Sequence, residues 1–264
     1  MSIITVAIPD LTAAAAAQGQ PAAAQAASRF ACFVTGTDTE IGKTLVSSAM
    51  LHALVQSGVR ACGMKPVAAG ANLRDGQWHN DDADCLIAAS NVSMLASLTT
   101  PYMLRQACAP HIAADLEDIL IEPVPILAAF TEIQAASDAV VVEGVGGFCV
   151  PLSDGFDTAE LAQQLGLPVV LVVGLRLGCI NHALLTAQAI AARGLQLVGW
   201  VANELDAEMA FADENIEALL TRIQAPLLGR VPRLTPRLAQ PMAAQAASHI
   251  HFSGLPNWPA RHPD

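Results

Sequence analysis

A threonine-rich loop that ends in Gly-Lys-Thr is the feature of this sequence that most directly indicates chemistry. Residues 36–44 read GTDTEIGKT, and they lie between a short apolar run and an amphipathic segment. Between a strand and a helix, such a loop turns backbone N–H groups and a helix N-terminus towards phosphate oxygens. Lys43 would then reach the β- and γ-phosphates of a nucleotide, and the Thr44 hydroxyl would bind Mg²⁺. The spacing departs from the usual motif, because Gly36 and Gly42 enclose five residues rather than four.

Lys65 is a second candidate, at the end of another apolar run and just before Pro66. It and Lys43 are the only lysines among 13 cationic residues. In a chain that otherwise uses arginine, a retained lysine suggests that a compact ammonium group is needed. A solvated charge at a strand end is the alternative interpretation. We favour a functional Lys65, because a parallel sheet would bring it to the same edge as the phosphate-binding loop.

Two acidic segments follow in importance. Glu143 closes the apolar run VVVE and is followed by GVGG. A carboxylate at this place can bind Mg²⁺ in phosphate-loop enzymes, and the glycines let the backbone approach a ligand closely. The alternative is a strand-terminal Glu before a flexible turn. Residues 80–84 (NDDAD) are most simply a helix start, in which polar side chains cap the helix and offset its dipole.

A further helix start is a candidate site for a carboxylate. Residues 176–182 (RLGCINH) follow another apolar run and begin a helix, whose free N–H groups could hold an anion. His111, Cys179 and His182 lack the spacing of a metal site or of a nucleophile–base pair, so we interpret them as structural.

Alternating strands and helices must position these candidates. Most strand-like runs are continuously apolar, as strands covered on both faces are. The alternation predicts an α/β fold, a three-layer, doubly wound, mostly parallel sheet of the P-loop NTPase type. In such sheets ligands bind outside the carboxyl ends of the strands, so the residues directly after each strand carry the functional information. Strands are predicted at residues 30–35, 60–66, 139–143, 169–174, 197–203 and 227–231, and helices at 43–56, 81–89, 126–136, 158–165, 180–192 and 210–222.

Composition limits the classes of function. With 13 Lys and Arg against 24 Asp and Glu, the formal net charge is −11. Coating nucleic acid or an anionic membrane needs clustered positive charge, so neither partner is expected. No stretch approaches the roughly 18 apolar residues that span a bilayer. The six cysteines form no C-x-x-C pair, which predicts reduced, mostly buried thiols in a cytoplasmic protein.

Three segments are predicted along the chain. Residues 1–28 contain no cation and are rich in Ala and Gln, so we expect a disordered tail there rather than a targeting signal. Residues 29–238 would form the phosphate-loop domain. Residues 239–264 are rich in Ala, Pro and His, and we expect an irregular C-terminal tail.

Six motifs, taken together, resemble those of a known family. In chain order they are GTDTEIGKT, KPVAAG, VEGVGG, PLSD, LGCINHALLTAQ and GWVAN, and they closely resemble the dethiobiotin synthetase family. The resemblance implies an ATP- and Mg²⁺-dependent homodimeric ligase of biotin biosynthesis. It implies that 7,8-diaminononanoate, CO₂ and ATP give dethiobiotin, ADP and phosphate. The implied steps are carbamate formation, transfer of the γ-phosphoryl group to give a carbamic-phosphoric anhydride, and ring closure by the second amine.

The resemblance also implies roles for individual residues. Lys65 would hold the carbamate, Lys43 would stabilise the γ-phosphate, and Thr39 would act at the phosphates. Asn203 would contact adenine. The implied Mg²⁺ ligands are Thr44, Asp82 and Glu143. The implied substrate contacts are Lys65, Ala69 and, from the other subunit, Gly178, Cys179, Ile180 and Asn181. The implied nucleotide contacts are Glu40, Ile41, Gly42, Lys43, Thr44, Leu45, Asp82, Glu143, Gly144, Val145, Gly146, Asn203, Glu204, Pro232, Arg233 and Leu234.

Ala69 departs from the family pattern. The family often has Ser at this place, where the hydroxyl contacts substrate. Losing one neutral hydrogen bond would cost about 0.5–1.5 kcal/mol. We therefore expect weaker binding of the diamine or carbamate, with the reaction retained.

Three alternatives also fit a phosphate-binding loop. A nucleotide-dependent switch of the chromosome-partitioning or septum-positioning type typically carries a signature lysine where this chain has Asp38. A related amidoligase such as a cobyrinate diamide synthase normally carries a fused glutamine-hydrolysing domain, and the 30 residues after Leu234 are too few for one. A non-catalytic binding module is disfavoured, because both lysines and all three candidate metal ligands are present.

Overall fold

Strands and helices alternate along most of the chain. The computed structural model describes residues 29–235 and 241–259. Its strands are β1 (Phe30–Gly36), β2 (Ala61–Met64), β3 (Val67–Ala69), β4 (Asn72–Arg74), β5 (Gln77–His79), β6 (Tyr102–Leu104), β7 (Ala139–Glu143), β8 (Pro151–Ser153), β9 (Phe156–Asp157), β10 (Val169–Leu175), β11 (Leu197–Glu204) and β12 (Leu227–Val231). Its helices are α1 (Lys43–Gln56), α2 (Asp81–Ala89), α3 (Ala96–Thr99), α4 (Pro110–Asp115), α5 (Pro123–Ala136), α6 (Thr158–Leu165), α7 (Cys179–Ala192), α8 (Ala212–Leu220) and α9 (Met242–Ala247), followed by a 3₁₀ helix at Phe252–Gly254.

Six of the strands form one parallel sheet in the order β12-β11-β10-β1-β7-β2. The chain leaves β1 towards β2 and β7 on one side and later crosses to β10 on the other. The direction of winding therefore reverses around β1. Ligands of such sheets bind at this reversal, outside the carboxyl ends of the strands.

Both faces of the sheet are covered, which explains the continuously apolar strands. Successive residues of β7 point to opposite faces. Val141 packs in the cluster that contains the apolar residues of α1, whereas Val140 and Val142 pack in the cluster that contains those of α5 and α6. A third cluster joins β10 and β11 to α7 and α8. The three-layer α/β fold expected from the sequence is confirmed.

The main elements match the sequence-based expectation closely. All six predicted strands lie in the central sheet, and α1, α2 and α6 begin and end at the predicted residues. Helix α5 begins at Pro123 rather than at residue 126, and a proline lies in its first turn, where it needs no hydrogen-bonded N–H. The short pairs β3–β6, β4–β5 and β8–β9 were not predicted.

The C-terminal segment differs from the irregular tail that we expected. Helix α9 packs beside α1, and Ile250, Phe252 and Leu255 are buried in the same cluster. The ring of Phe252 stacks on Trp258 with centroids 4.8 Å apart, and Trp258 meets Phe30 edge-to-face at 5.0 Å. These apolar side chains pack in the same cluster as those of α1, so tertiary packing gives the segment its structure.

Two other expectations concern the surface and the N-terminus. All six cysteines lie in the described ranges and none forms a disulfide, but Cys85, Cys108 and Cys149 are exposed rather than buried. Among the helices of residues 29–235 and 241–259, none is both long and apolar enough to cross a membrane. The predicted tail of residues 1–28 lies outside the described residues.

Candidate active site

The loop between β1 and α1 curves around the ammonium group of Lys43. Lys43 Nζ donates a hydrogen bond to the carbonyl oxygen of Asp38 over 2.7 Å. Glu40 and Gly42 have left-handed backbone conformations, with φ of 54° and 91°, and these turn the chain into α1. Burial and the charge of Lys65 lower the pKa of Lys43 to about 8, against the opposite effect of nearby carboxylates. The loop therefore holds a partly shielded cation at the carboxyl end of β1.

Asn203, near the end of β11, supports this loop. Its Nδ2 donates to the carbonyl oxygen of Ile41 over 2.9 Å. Gly42 lies against the same amide, since a Cβ at this position would be 2.3 Å from Asn203 Nδ2. Both the space and the left-handed backbone therefore require glycine at residue 42.

Four polar side chains from four different segments meet beside the loop. Thr44 Oγ1, in the first turn of α1, lies 2.7 Å from Asp82 Oδ1 and 2.9 Å from Glu143 Oε1. Lys65 Nζ, just after β2, lies 2.6 Å from Glu143 Oε1 and 3.0 Å from Asp82 Oδ2. It also donates to the carbonyl oxygen of Gly144 over 3.1 Å. The predicted carbamate-binding lysine and the predicted metal ligands are thus in direct contact.

Lys65 and Asp82 stabilise each other in their charged forms. Burial alone would lower the pKa of Lys65, but the carboxylates of Glu143 and Asp82 outweigh it and raise that pKa. Burial would raise the pKa of Asp82, whereas the charge of Lys65 and the Thr44 hydroxyl lower it, and the lowering prevails. Glu143 is fully buried, and its Oε2 has no hydrogen-bond partner among the described residues. An unpartnered carboxylate oxygen in this position can accept a further ligand.

A cavity of about 790 Å³ opens between the phosphate loop and Lys65. This volume is in the range of small-molecule sites. One wall is formed by residues 107–110 and another by the glycine-rich residues 145–147. Ala69 and Asp82 also line the cavity. Phosphate-loop, lysine and acidic groups therefore share one cleft.

The predicted contacts at the start of α7 do not line this cavity. Gly178 has φ of 95° and precedes α7 without a side-chain cap. Cys179 is buried, its Sγ lies 3.5 Å from Asn215 Oδ1 in α8, and its N–H donates to the carbonyl oxygen of Arg176. Asn181 is exposed. Gly178 and Asn181 are thus exposed on the single chain, whereas Cys179 and Ile180 pack in the cluster that joins β10 and β11 to α7 and α8.

The predicted contacts at the end of β11 and after β12 also lie outside the cavity lining. Glu204 forms an ion pair with Arg230. Leu234 packs against the core cluster next to α1, whereas Arg233 is exposed. Leu45 packs against the same cluster.

Sequence reasoning missed three features of the site. Asn80 caps α2 through hydrogen bonds to the N–H groups of Asp82 and Ala83, and its Nδ2 also donates to the carbonyl oxygen of Ala69 over 3.1 Å. Its capping role could be read from the sequence, but its link to Ala69 could not. The Asp38–Arg176 ion pair joins residues 138 positions apart, and nothing in the sequence signals it. The cavity wall at residues 107–110 likewise carries no motif.

The fold and the loop together define a P-loop nucleotide-binding protein. Solved structures agree on the fold. The septum site-determining protein MinD of Pyrococcus horikoshii, solved with Mg-ADP, aligns with a TM-score of 0.51 and 18% identity over 83% of this chain and 92% of its own. A ParA-family ATPase of Chlorobium tepidum aligns with a TM-score of 0.50 and 14% identity over 85% and 91%. Such low identities establish a shared fold only.

Sequence similarity defines the family more narrowly. The family described as AAA domain matches residues 31–241. The ATP-dependent dethiobiotin synthetase of Janthinobacterium sp. (strain Marseille) is 60% identical over 87% of this chain and 98% of its own length. The enzyme of the same name from Aromatoleum aromaticum is 56% identical over 85% and 98%. The chain therefore belongs to the ATP-dependent dethiobiotin synthetase family, whose members are ligases that form carbon–nitrogen bonds.

Proposed function

We propose that this protein uses ATP to join 7,8-diaminononanoate and CO₂ into dethiobiotin. The observation that carries the proposal is the contact of Lys65 with Glu143 and Asp82, beside the phosphate loop and at one cavity. Transfer of a phosphoryl group to a carbamate gathers negative charge. Positioned cations are the groups expected to stabilise that charge.

ATP would bind with its phosphates along the loop of residues 37–42 and its γ-phosphate near Lys43. The amide of Asn203 uses its N–H₂ group on the carbonyl oxygen of Ile41, which leaves its oxygen as the acceptor. An acceptor there suits the exocyclic amino group of adenine, so the proposed adenine contact is chemically consistent. The remaining proposed contacts, Glu204 and residues 232–234, would border the base.

Mg²⁺ would be held by Thr44, Asp82 and Glu143. The donor set fits this metal, which prefers carboxylate, hydroxyl and water oxygens. The buried and unpartnered Oε2 of Glu143 provides a free oxygen for it. When bound, Mg²⁺ would neutralise charge on the β- and γ-phosphates.

The reaction then needs three bond-forming events. One amine of the diamine attacks CO₂, giving a carbamate and releasing a proton, and Lys65 holds the carbamate anion. A carbamate oxygen attacks the γ-phosphorus, and ADP leaves. The second amine attacks the carbamoyl carbon and releases a proton, phosphate leaves, and the cyclic urea closes. Lys43 and Lys65 stabilise the charge that accumulates on the transferred group, and Thr39 lies in the loop at the phosphates.

The diamine carboxylate would bind at residues 178–181 of a second subunit. In the single chain Gly178 and Asn181 are exposed and residues 178–181 do not line the cavity, which supports a contribution across an interface. Leu177 is 96% exposed and Leu185 is 57% exposed, so a second subunit that packs on this turn and helix would cover apolar surface. We also propose that residues 29–235 and 241–259 together form the catalytic domain, since the C-terminal segment completes the packing around α1.

The decisive experiment measures ADP release with each substrate omitted in turn. We expect release to require both the diamine and bicarbonate. The matched variant is Lys65→Gln, which replaces the charged ammonium group with a neutral amide. Equal ADP release with and without the diamine would contradict the proposal and would favour a nucleotide switch.

A further inference from the structure

Asp38 is fixed at three atoms within the phosphate loop. Its carbonyl oxygen accepts from Lys43 Nζ over 2.7 Å. Its Oδ1 accepts from the N–H of Thr39 over 2.8 Å. Its Oδ2 accepts from the guanidinium group of Arg176. The position of the Lys43 ammonium therefore depends on a residue whose side chain is held from outside the loop.

Arg176 lies in the turn that joins β10 to α7. Its carbonyl oxygen accepts from the N–H of Cys179 over 3.0 Å, and this bond closes the turn before the helix. The strands β1 and β10 are neighbours, with Gly36 opposite Val172, so both loops leave the same edge of the sheet. Arg176 thus contacts the phosphate loop through its side chain and the start of α7 through its main chain.

This ion pair differs from the other arginine pairs of the described residues. Those of Arg74, Arg105, Arg193 and Arg230 join carboxylates that lie outside residues 37–42. Within the described part of the chain, Arg176–Asp38 alone connects the phosphate loop to another loop by opposite charges. The connected loop is the one that leads to the proposed carboxylate site.

We propose that Arg176 is a positioning residue that couples nucleotide binding to diamine binding. The inference rests on the proposed function, in which the start of α7 holds the substrate carboxylate. ATP would order the phosphate loop and Asp38, and through Arg176 it would also order the turn at residues 176–178. Because coupling between two binding sites is reciprocal, the diamine would strengthen ATP binding by the same factor. If α7 serves the partner's cavity, the effect crosses the subunit interface.

The expected effect is modest. The side chains of Arg176 and Asp38 are 48% and 38% exposed, and exposed ion pairs change an equilibrium by about 1.5- to 5-fold. Arg176→Gln should therefore weaken binding of a non-hydrolysable ATP analogue by up to about 5-fold. The factor by which the analogue and the diamine increase each other's affinity should fall towards one.

A double-mutant cycle tests the inference by titration calorimetry. The variants are Arg176→Gln, Asp38→Asn, which keeps an acceptor for the Thr39 N–H, and the two combined. We expect the double variant to bind the analogue no more weakly than either single variant, and Arg176→Lys to restore most of the affinity. Arg193→Gln is the matched control, because Arg193 lies at the other end of α7 and pairs with Asp157.

The outcomes separate this inference from the proposed function. Additive losses in the double variant, or unchanged coupling in Arg176→Gln, would overturn the positioning role even if diamine-dependent ADP release is intact. If Arg176→Gln lowers both the melting temperature and the affinity for the analogue, and Arg176→Lys restores neither, the role of Arg176 is structural and the inference is also overturned. Failure of the wild-type protein to release ADP on adding diamine would refute the proposed function itself. The titrations of the Arg176 and Asp38 variants with the ATP analogue alone would still test the link between Arg176 and the phosphate loop.

Discussion

Raising the pH from 7 to 9 should weaken ATP binding through the phosphate-loop lysine. Burial, together with the positive charge of Lys65, lowers the pKa of Lys43 from 10.5 to about 8. Because this pKa is lowered, the ammonium form predominates below pH 8 and is lost as the pH rises through that value. Only the ammonium form attracts phosphate, so affinity should fall in the same interval.

The size of the effect follows from the pKa. With a pKa of about 8, the protonated fraction of Lys43 is about 0.9 at pH 7 and about 0.1 at pH 9. If binding requires the ammonium group, affinity should fall about tenfold between these two values. A lysine that kept the ordinary pKa of 10.5 would stay more than about 95% protonated at pH 9 and would change affinity very little.

Titration calorimetry with a non-hydrolysable ATP analogue can measure both the affinity and the accompanying proton transfer. Above pH 8 we expect proton uptake on binding, because the phosphates favour the charged lysine. Uptake is measured by repeating the titration in buffers with different ionisation enthalpies. Lys43→Arg is the control, since a guanidinium group stays charged throughout this range, and its profile should be flat. A constant wild-type affinity from pH 7 to 9 without proton uptake would refute the reasoning.

Three substitutions test other parts of the site and fold. Lys65→Gln should lower turnover by about 100-fold or more while leaving affinity for the ATP analogue near the wild-type value; lost affinity with intact turnover at saturation would assign Lys65 to the nucleotide instead. Gly42→Ala should abolish ATP binding, because the new Cβ has neither space nor a favourable φ, whereas Gly155→Ala, which meets nothing within 4 Å, should bind normally. Trp258→Ala should lower the free energy of unfolding by about 3 kcal/mol, measured by denaturant titration. As a control, Trp78→Ala, at a half-exposed tryptophan, should lower the free energy of unfolding by less than about 1 kcal/mol. Equal losses for the two substitutions would argue against a structural role for the C-terminal segment.

The buried strands and the phosphate loop could be predicted from the sequence. The central strands are continuously apolar because helices cover both faces of the sheet, and that burial is visible in residues such as Val140, Val141 and Val142. The phosphate loop follows from local chemistry, since Gly42 and Lys43 must lie between a strand and a helix. Parallel topology then placed Lys65 and Glu143 at the same edge.

Features that depend on contacts between distant segments could not be predicted. The packing of Trp258 on Phe30 joins the two ends of the described chain, and composition alone suggested an irregular tail. The Asp38–Arg176 pair depends on the register between β1 and β10, which a single sequence does not fix. The segment of residues 107–110 is short and has no periodicity, so only the folded chain shows that it lines the same cavity as Lys65.

The central claim is that the protein joins CO₂ to a diamine in the cavity beside Lys65 and cleaves ATP to ADP and phosphate in doing so. Carbon-13-labelled bicarbonate tests it most directly, with 7,8-diaminononanoate and MgATP as the other substrates and mass spectrometry of the product. We expect dethiobiotin that carries the label in its ureido carbonyl, formed in a one-to-one ratio with ADP. ADP release without labelled dethiobiotin, at a rate indifferent to the diamine, would contradict the account.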